Sequence, residues 1–150
     1  MKRFSNDPHK LVRFNQAKIY VDGILSLQTG ALLEPYSADL ELPPEEELGF
    51  EYFGNEQTLR DVSVALAKEG FQLHFHVTGD RGNRLALNAI EDVQSQINGT
   101  TAAMMHRVTH CFLVDEADRS RFQALNSVAD FQVAPSSVDP DNIEFMQLLL

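Results

Sequence analysis

Strand-like runs alternate with amphipathic helical stretches along most of the chain, and this alternation constrains the fold more than any other feature. The runs with β-prone composition are 17–21, 71–77, 104–113 and 128–134. The helical stretches between and after them are 55–68, 80–97, 115–125 and a last helix from residue 139. Strands separated by helices pair in parallel through right-handed crossovers. The pattern therefore predicts an α/β fold, either a doubly wound sheet or part of a (β/α) barrel.

Each helical stretch also carries its own start signal. The polar residues that can cap a helix at these starts are Asn55, Asp80, Asp115 and Asp139. Pro140 suits the first position of the last helix. That helix ends on three leucines without a stop signal. We interpret this end as that of a piece of a longer protein, so that residues 1–150 form a single partial domain truncated at one or both ends. The alternative is a terminal helix docked on the core.

Charge and composition exclude several classes of protein. The 150 residues include 22 acidic and 12 basic side chains, giving a net charge of −10, and 43% are hydrophobic. This composition is that of a globular protein. Its acidic balance argues against nucleic acid and anionic membrane as partners. No apolar run is long enough to span a bilayer. Residues 1–10 are polar and no apolar segment resembling a signal peptide follows them, and Cys111 is the single cysteine. We therefore expect a cytoplasmic protein.

Acidic residues are concentrated between residues 19 and 59, a stretch that contains no Lys or Arg. Within it, Pro43 and Pro44 break regular structure. We interpret residues 37–54 as a long solvated loop rather than as an acidic binding segment.

Histidines mark two of the predicted strands. His74 and His76 lie in the second strand and His106 and His110 in the third. Side chains at alternate positions share a face, and neighbouring strands lie about 4.8 Å apart. His76 and His110 are therefore predicted to converge on one metal ion, since zinc binds imidazole nitrogen. The alternative is that these are packed, hydrogen-bonded histidines without a ligand.

Three further residues have both structural and chemical interpretations. Lys18 in the first strand either reaches solvent, contacts substrate or, after reaction with carbon dioxide, supplies an oxygen ligand that bridges metals. Asp80 either caps its helix or orients a ligand imidazole. Cys111 follows His110 and so points to the opposite face, which favours a buried thiol over a nucleophile.

Several segments together resemble one family. They are residues 18–23 (KIYVDG) with 29–36 (TGALLEPY), 76–81 (HVTGDR) and 106–111 (HRVTHC). In this order and spacing they resemble the amidohydrolase superfamily, in the branch that includes N-substituted formamide deformylases and exoenzyme regulatory proteins. The resemblance covers roughly residues 17 to 135.

This resemblance implies a distorted (β/α)8 barrel with one or two divalent metal ions, usually zinc, at the carboxyl ends of its strands. Lys18, His76 and His110 fall on the metal ligands of the fourth, fifth and sixth strands. The chain would then be a partial TIM-type barrel of about strands 4 to 7. The family's His-x-His pair on the first strand and its proton-shuttling Asp on the eighth have no counterpart that we can place here.

Some positions depart from the family's pattern. His74 occupies a normally apolar position, Thr109 stands in place of a Glu, Val133 in place of a Pro, and residues 24–28 replace Ser-Leu-Gly-Ser-Arg. We expect His74, His106 and Asp80 beside the ligands or the substrate.

Two functions follow from these observations. The first is a fragment of a metal-dependent amidohydrolase that cleaves a non-peptide C–N bond of a small amide-like molecule through metal-activated water, inactive as an isolated chain. The alternative is a non-catalytic α/β binding or regulatory module that has kept the scaffold. In either case the open sheet edges predict a homo-oligomer.

Overall fold

The computed structural model describes residue 11 and residues 14–97, 104–132 and 139–150. The strands are β1 (Gln16–Tyr20), β2 (Gln72–Val77), β3 (Arg107–His110) and β4 (Val128–Asp130). The helices are α1 (Glu56–Lys68), α2 (Asp80–Gln96), α3 (Glu116–Ala124) and α4 (Pro140–Leu149), with 3-10 turns at Leu25–Leu27 and Ala38–Leu40. This order confirms the predicted α/β alternation. No helix in these described ranges is long and apolar enough to cross a membrane.

The four strands form one parallel sheet in the order β1-β2-β3-β4. Strand order in a doubly wound sheet reverses at a switch point, whereas barrel strands follow one another in sequence. The observed order therefore selects the partial barrel from the two predicted architectures.

The strands are shorter than the sequence predicts. β3 ends at His110 because the backbone is left-handed there (φ 82°) and at Cys111 (φ 47°). β4 ends at Asp130, and residues 133 and 134 of the predicted strand lie outside the described residues.

The two faces of the sheet differ in polarity. On one face the side chains are apolar and fully buried, and α1 and α2 pack against them; they include Ile19, Leu73, Phe75, Val77 and Val108. The other face bears polar residues that the register places in neighbouring rows: Lys18, His74, His76, Arg107, Thr109 and Asp130. A barrel packs its helices outside, so the polar face corresponds to its interior.

Three of the four predicted caps are confirmed. The side chains of Asn55, Asp115 and Asp139 accept hydrogen bonds from main-chain amides of the first turns of α1, α3 and α4. The prediction for Asp80 is wrong, because Gly79 is the N-cap and Asp80 is the first residue of α2.

The connection between β1 and α1 is held against the rest of the chain. Arg81 donates to the carbonyl oxygens of Leu32 and Leu48, both at 3.0 Å, and pairs with Glu51. The acidic part of the connection is mostly exposed, as expected of a solvated loop. Helix α4 docks on the same connection through Leu149, which is 2% exposed and whose carbonyl accepts a hydrogen bond from Ser37 N at 2.8 Å.

Candidate metal centre

His76 and His110 meet at the carboxyl ends of β2 and β3. Their ring centroids lie 4.5 Å apart at an interplanar angle of 68°. The two rings therefore lie together, but strand alternation does not produce this arrangement; their convergence on a metal ion stays a prediction. The register pairs His110 with Val77, a residue of the outer, apolar face. The left-handed backbone of His110 brings its ring to that of His76 instead.

Hydrogen bonding leaves one nitrogen of His76 available for a ligand. Its Nε2 lies 2.9 Å from the carbonyl oxygen of Gly23. A carbonyl only accepts, so Nε2 carries the proton and Nδ1 keeps its lone pair. Histidines that bind metals are commonly oriented by such a bond from the second ring nitrogen.

The surroundings of His110 favour its neutral form. Burial lowers its pKa, and the neighbouring His76 and Lys18 lower it further. A neutral imidazole has a lone pair for a metal ion. His76 and His110 are therefore suited to supply two nitrogen ligands to a divalent metal ion.

Lys18 lies one strand row below this pair. The register places it opposite His74, and its Nζ is 3.4 Å from His74 Nε2. His74 Nε2 also hydrogen-bonds Thr109 Oγ1. Burial lowers the pKa of Lys18, and the nearby Asp130 opposes this effect. The two inner-face positions that depart from the family's pattern, His74 and Thr109, therefore contact each other beside Lys18.

Asp80 and His106 each accept hydrogen bonds from the main chain. Asp80 Oδ1 accepts hydrogen bonds from Leu33 N at 2.9 Å and Arg81 N at 2.8 Å, so it ties the β1–α1 connection to α2. His106 precedes β3, at the end of that strand opposite His110, and is 1% exposed. Its Nδ1 accepts from Leu73 N at 3.1 Å, and burial lowers its pKa to about 4. The structure thus gives both residues structural contacts.

Asp22 is an organising residue that the sequence did not reveal. Its fully buried carboxylate accepts hydrogen bonds from the amides of Ala31, Thr78 and Gly79 at 3.0, 2.9 and 2.8 Å. Burial raises its pKa, while these amides and His76 lower it. Asp22 precedes Gly23, the acceptor for His76, so the carboxylate fixes the loop that orients this ring. The Asp22-Gly23 pair resembles an ordinary turn, which hides this role.

Cys111 is buried in the core, as expected. Its Sγ donates to Val108 O at 3.3 Å, and burial raises its pKa to about 12. A thiol in this state is not a nucleophile at neutral pH.

Aromatic rings flank the histidine pair on both sides. Tyr20 lies 4.7 Å from His76 between ring centroids, and Tyr52 continues the row 6.3 Å from Tyr20. On the other side, Phe112 lies 5.9 Å from His110. The two histidines thus lie in a partly apolar surrounding.

Within residues 14–97, 104–132 and 139–150, no three His, Cys, Asp or Glu side chains are grouped so as to hold a metal ion. The observed set is two imidazoles with Lys18 one row below. A complete site needs further ligands, because zinc in proteins is usually four-coordinate.

Known proteins resemble this chain in sequence and fold. The amidohydrolase family matches residues 2–146. Exoenzymes regulatory protein AepA of Pectobacterium carotovorum subsp. carotovorum is 24% identical over 122 residues, which are 81% of this chain and 24% of that protein.

Two solved structures also match. An uncharacterized metal-dependent hydrolase from Pyrococcus furiosus has a TM-score of 0.60 and 26% identity, covering 77% of this chain and 21% of that one. A second, from Pyrococcus horikoshii OT3, has a TM-score of 0.57 and 24% identity, covering 74% and 20%. This chain therefore spans a fifth to a quarter of the length of these proteins.

Proposed function

Because this chain belongs to the amidohydrolase family, we propose that it supplies part of the metal centre of an enzyme that hydrolyses a non-peptide C–N bond. The substrate class is a small molecule with an amide or amide-like group. The observation that carries this proposal is the convergence of His76 and His110, whose ring centroids lie 4.5 Å apart at the carboxyl ends of neighbouring strands. In (β/α)8 enzymes this end of the barrel carries the active site.

Three residues of this chain would bind the ion. His76 would bind through Nδ1 while its Nε2 stays hydrogen-bonded to Gly23 O, and neutral His110 would supply the second nitrogen. Lys18 would add a bridging oxygen ligand once carboxylated, a reaction that its lowered pKa favours because the neutral amine is the reactive form. When bound, one or two divalent ions, zinc in the simplest case, would polarise the amide carbonyl and acidify water.

Asp130, an acidic side chain on this face of the sheet, pairs with Arg107 at 3.1 Å, and the resemblance assigns the proton-shuttling Asp to the eighth strand. We therefore propose that the isolated chain binds metal weakly and does not turn over substrate. Turnover would need the further ligands and the shuttle that the resemblance assigns to the first and eighth strands.

Metal titration of the chain tests the ligand assignment. Cobalt(II) added to the wild-type chain should give visible absorption bands, which His76→Ala and His110→Ala should each abolish. His9→Ala is the matched control, because it removes a histidine from the N-terminal segment. The assignment would be wrong if the two strand variants bound cobalt(II) with the wild-type spectrum and affinity.

A second candidate function is a binding or regulatory module without catalysis. It is favoured by the contacts of His74, a departure from the family pattern, which engages both Lys18 and Thr109, a second departure. The similarity to a protein named as an exoenzyme regulator points the same way. Amide turnover by a complete barrel containing this chain, lost in His110→Ala, would exclude this candidate.

A further inference from the structure

A groove lies between the segment that follows β3 and helix α4. It has a volume of about 600 Å³, within the usual range of small-molecule sites. One wall consists of Phe112 and Leu113, which follow β3. The opposite wall is formed by α4 and by Leu150, which follows it; its side chains are mainly apolar, with polar Asn142 and Gln147 among them. We call this space the α4 groove.

The spacing of residues on α4 explains why one wall is apolar. Positions 143 and 146 are three residues apart and so share one face of α4, and Leu150, the residue after the helix, lies four positions further on. Leu149 lies on the adjacent face and holds the helix to the core with Leu25 and Tyr36. Because Leu149 anchors α4 to the core, the helix face that bears Ile143 and Met146 is turned towards Phe112.

The groove and the histidine pair share one neighbouring ring. Phe112 lines the groove, and its centroid lies 5.9 Å from that of His110. A span of about 6 Å corresponds to four or five single bonds of about 1.5 Å each. A molecule whose amide lies at His110 can therefore place an apolar tail of four or more carbons against Phe112.

The charges around the groove restrict the kind of tail. The side chains of the described residues that line it carry no charge, so a charged tail would lose hydration without gaining an ion pair with a side chain. The charged residues nearest in sequence to Ile143 are Asp141 and Glu144, both acidic. Their negative charge disfavours an anionic tail in particular.

We propose that the α4 groove binds the apolar tail of the substrate, so that the preferred substrates are amides with a neutral aliphatic or aromatic substituent of four or more carbons. This inference rests on the proposed function for the position of the amide. The binding of the tail itself requires only the groove.

The test uses the metal-free chain labelled with ¹³C at its methionine methyls, with the Met146 signal as the reporter. Butanamide, hexanamide and octanamide are titrated in turn. Affinity should rise about three- to fourfold for each added methylene that the groove buries. Adipic acid monoamide, which places a carboxylate on a hexanamide-sized tail, should bind about tenfold more weakly than hexanamide because its charge loses hydration.

Two variants on the same helix provide a matched pair. Ile143 lines the groove and is 46% exposed, whereas Leu148 is 66% exposed and lies outside it. Ile143→Asn should remove the dependence on chain length, and Leu148→Asn should keep it. Equal affinities for the three amides, or equal effects of the two variants, would overturn the inference.

The outcomes separate the groove from the metal centre. If cobalt(II) binds at His76 and His110 but amide affinity does not vary with length, the groove inference fails alone. If affinity varies with length but cobalt(II) does not bind there, the tail site stands and the proposed function fails. Light scattering completes the test, because a dimer that Ile143→Asn dissociates would assign the groove to a second copy of the chain and overturn the inference.

Discussion

Replacing Gly79 by alanine should strongly destabilise the fold, for a steric reason. A Cβ at this position would lie 1.9 Å from the carbonyl oxygen of Ala31, so the two segments would have to separate by about 1.4 Å to reach an ordinary contact of about 3.3 Å. The backbone of Gly79 has φ −87°, which any residue adopts, so conformational strain adds nothing.

The cost has two parts. Overpacking of a tight site costs about 1–3 kcal/mol. The separation also weakens the 2.8 Å hydrogen bond from Gly79 N to the buried carboxylate of Asp22, and a bond to a charged group contributes about 1.5–3 kcal/mol. We expect Gly79→Ala to lower the free energy of unfolding by about 3–5 kcal/mol, a large part of the stability of a small domain.

Urea unfolding followed by circular dichroism measures this loss. With a slope of about 2 kcal/mol per molar, the midpoint should fall by about 2 M. Gly54→Ala is the matched control, because Gly54 has φ 70° but a methyl group there would meet no atom of the described residues within 4 Å; left-handed strain alone should cost it about 1–2 kcal/mol. If Gly79→Ala destabilised the chain no more than Gly54→Ala, the steric argument would be refuted.

Three further predictions concern other parts of the chain. Burial lowers the pKa of His106 from 6.5 to about 4 in the folded chain. As pH falls below 6.5, the unfolded chain takes up a proton on this imidazole before the folded chain does. The folded state therefore loses stability relative to the unfolded state until the pH reaches about 4. Between pH 7 and 4.5 the wild type should lose about 2 kcal/mol more stability in urea titrations than His106→Asn; equal losses would contradict this. Cys111 should react with a disulfide reagent at pH 8 only at the rate of unfolding, because its thiol is buried, and rapid labelling of the native chain would disprove it. The exposed edges of β1 and β4 should pair two copies of the chain, and light scattering that shows a monomer at all concentrations would count against such pairing.

The sequence predicted the features that depend on local chemistry. Asn55, Asp115 and Asp139 cap their helices because the capping bond spans only two or three residues. Strand alternation likewise placed His74 and His76 on one face.

The errors involve contacts between distant segments. Asp80 does not cap its helix, because its carboxylate meets the amide of Leu33, 47 residues away. The role of Asp22 depends on amides up to 57 residues away, which no local pattern reports. His110 reaches His76 through a left-handed backbone that β propensity does not predict. The assignment of Lys18, His76 and His110 as metal ligands stays a prediction.

The hydrogen bonds of Asp22 also bear on how this end of the sheet moves. Loops that follow strands usually exchange their amide hydrogens quickly, because they open independently of the core. Here the amides of Ala31, Thr78 and Gly79 all end on one buried carboxylate, and the same turn holds His76 through Gly23. If one of these loops opens, the Asp22 carboxylate becomes exposed to water and its remaining hydrogen bonds weaken. The three amide hydrogens should therefore exchange together, at a rate close to that of the amide hydrogens in the strands. The segments around His76 then fluctuate as one cooperative unit, and a ligand that binds this ring slows exchange in all of them at once.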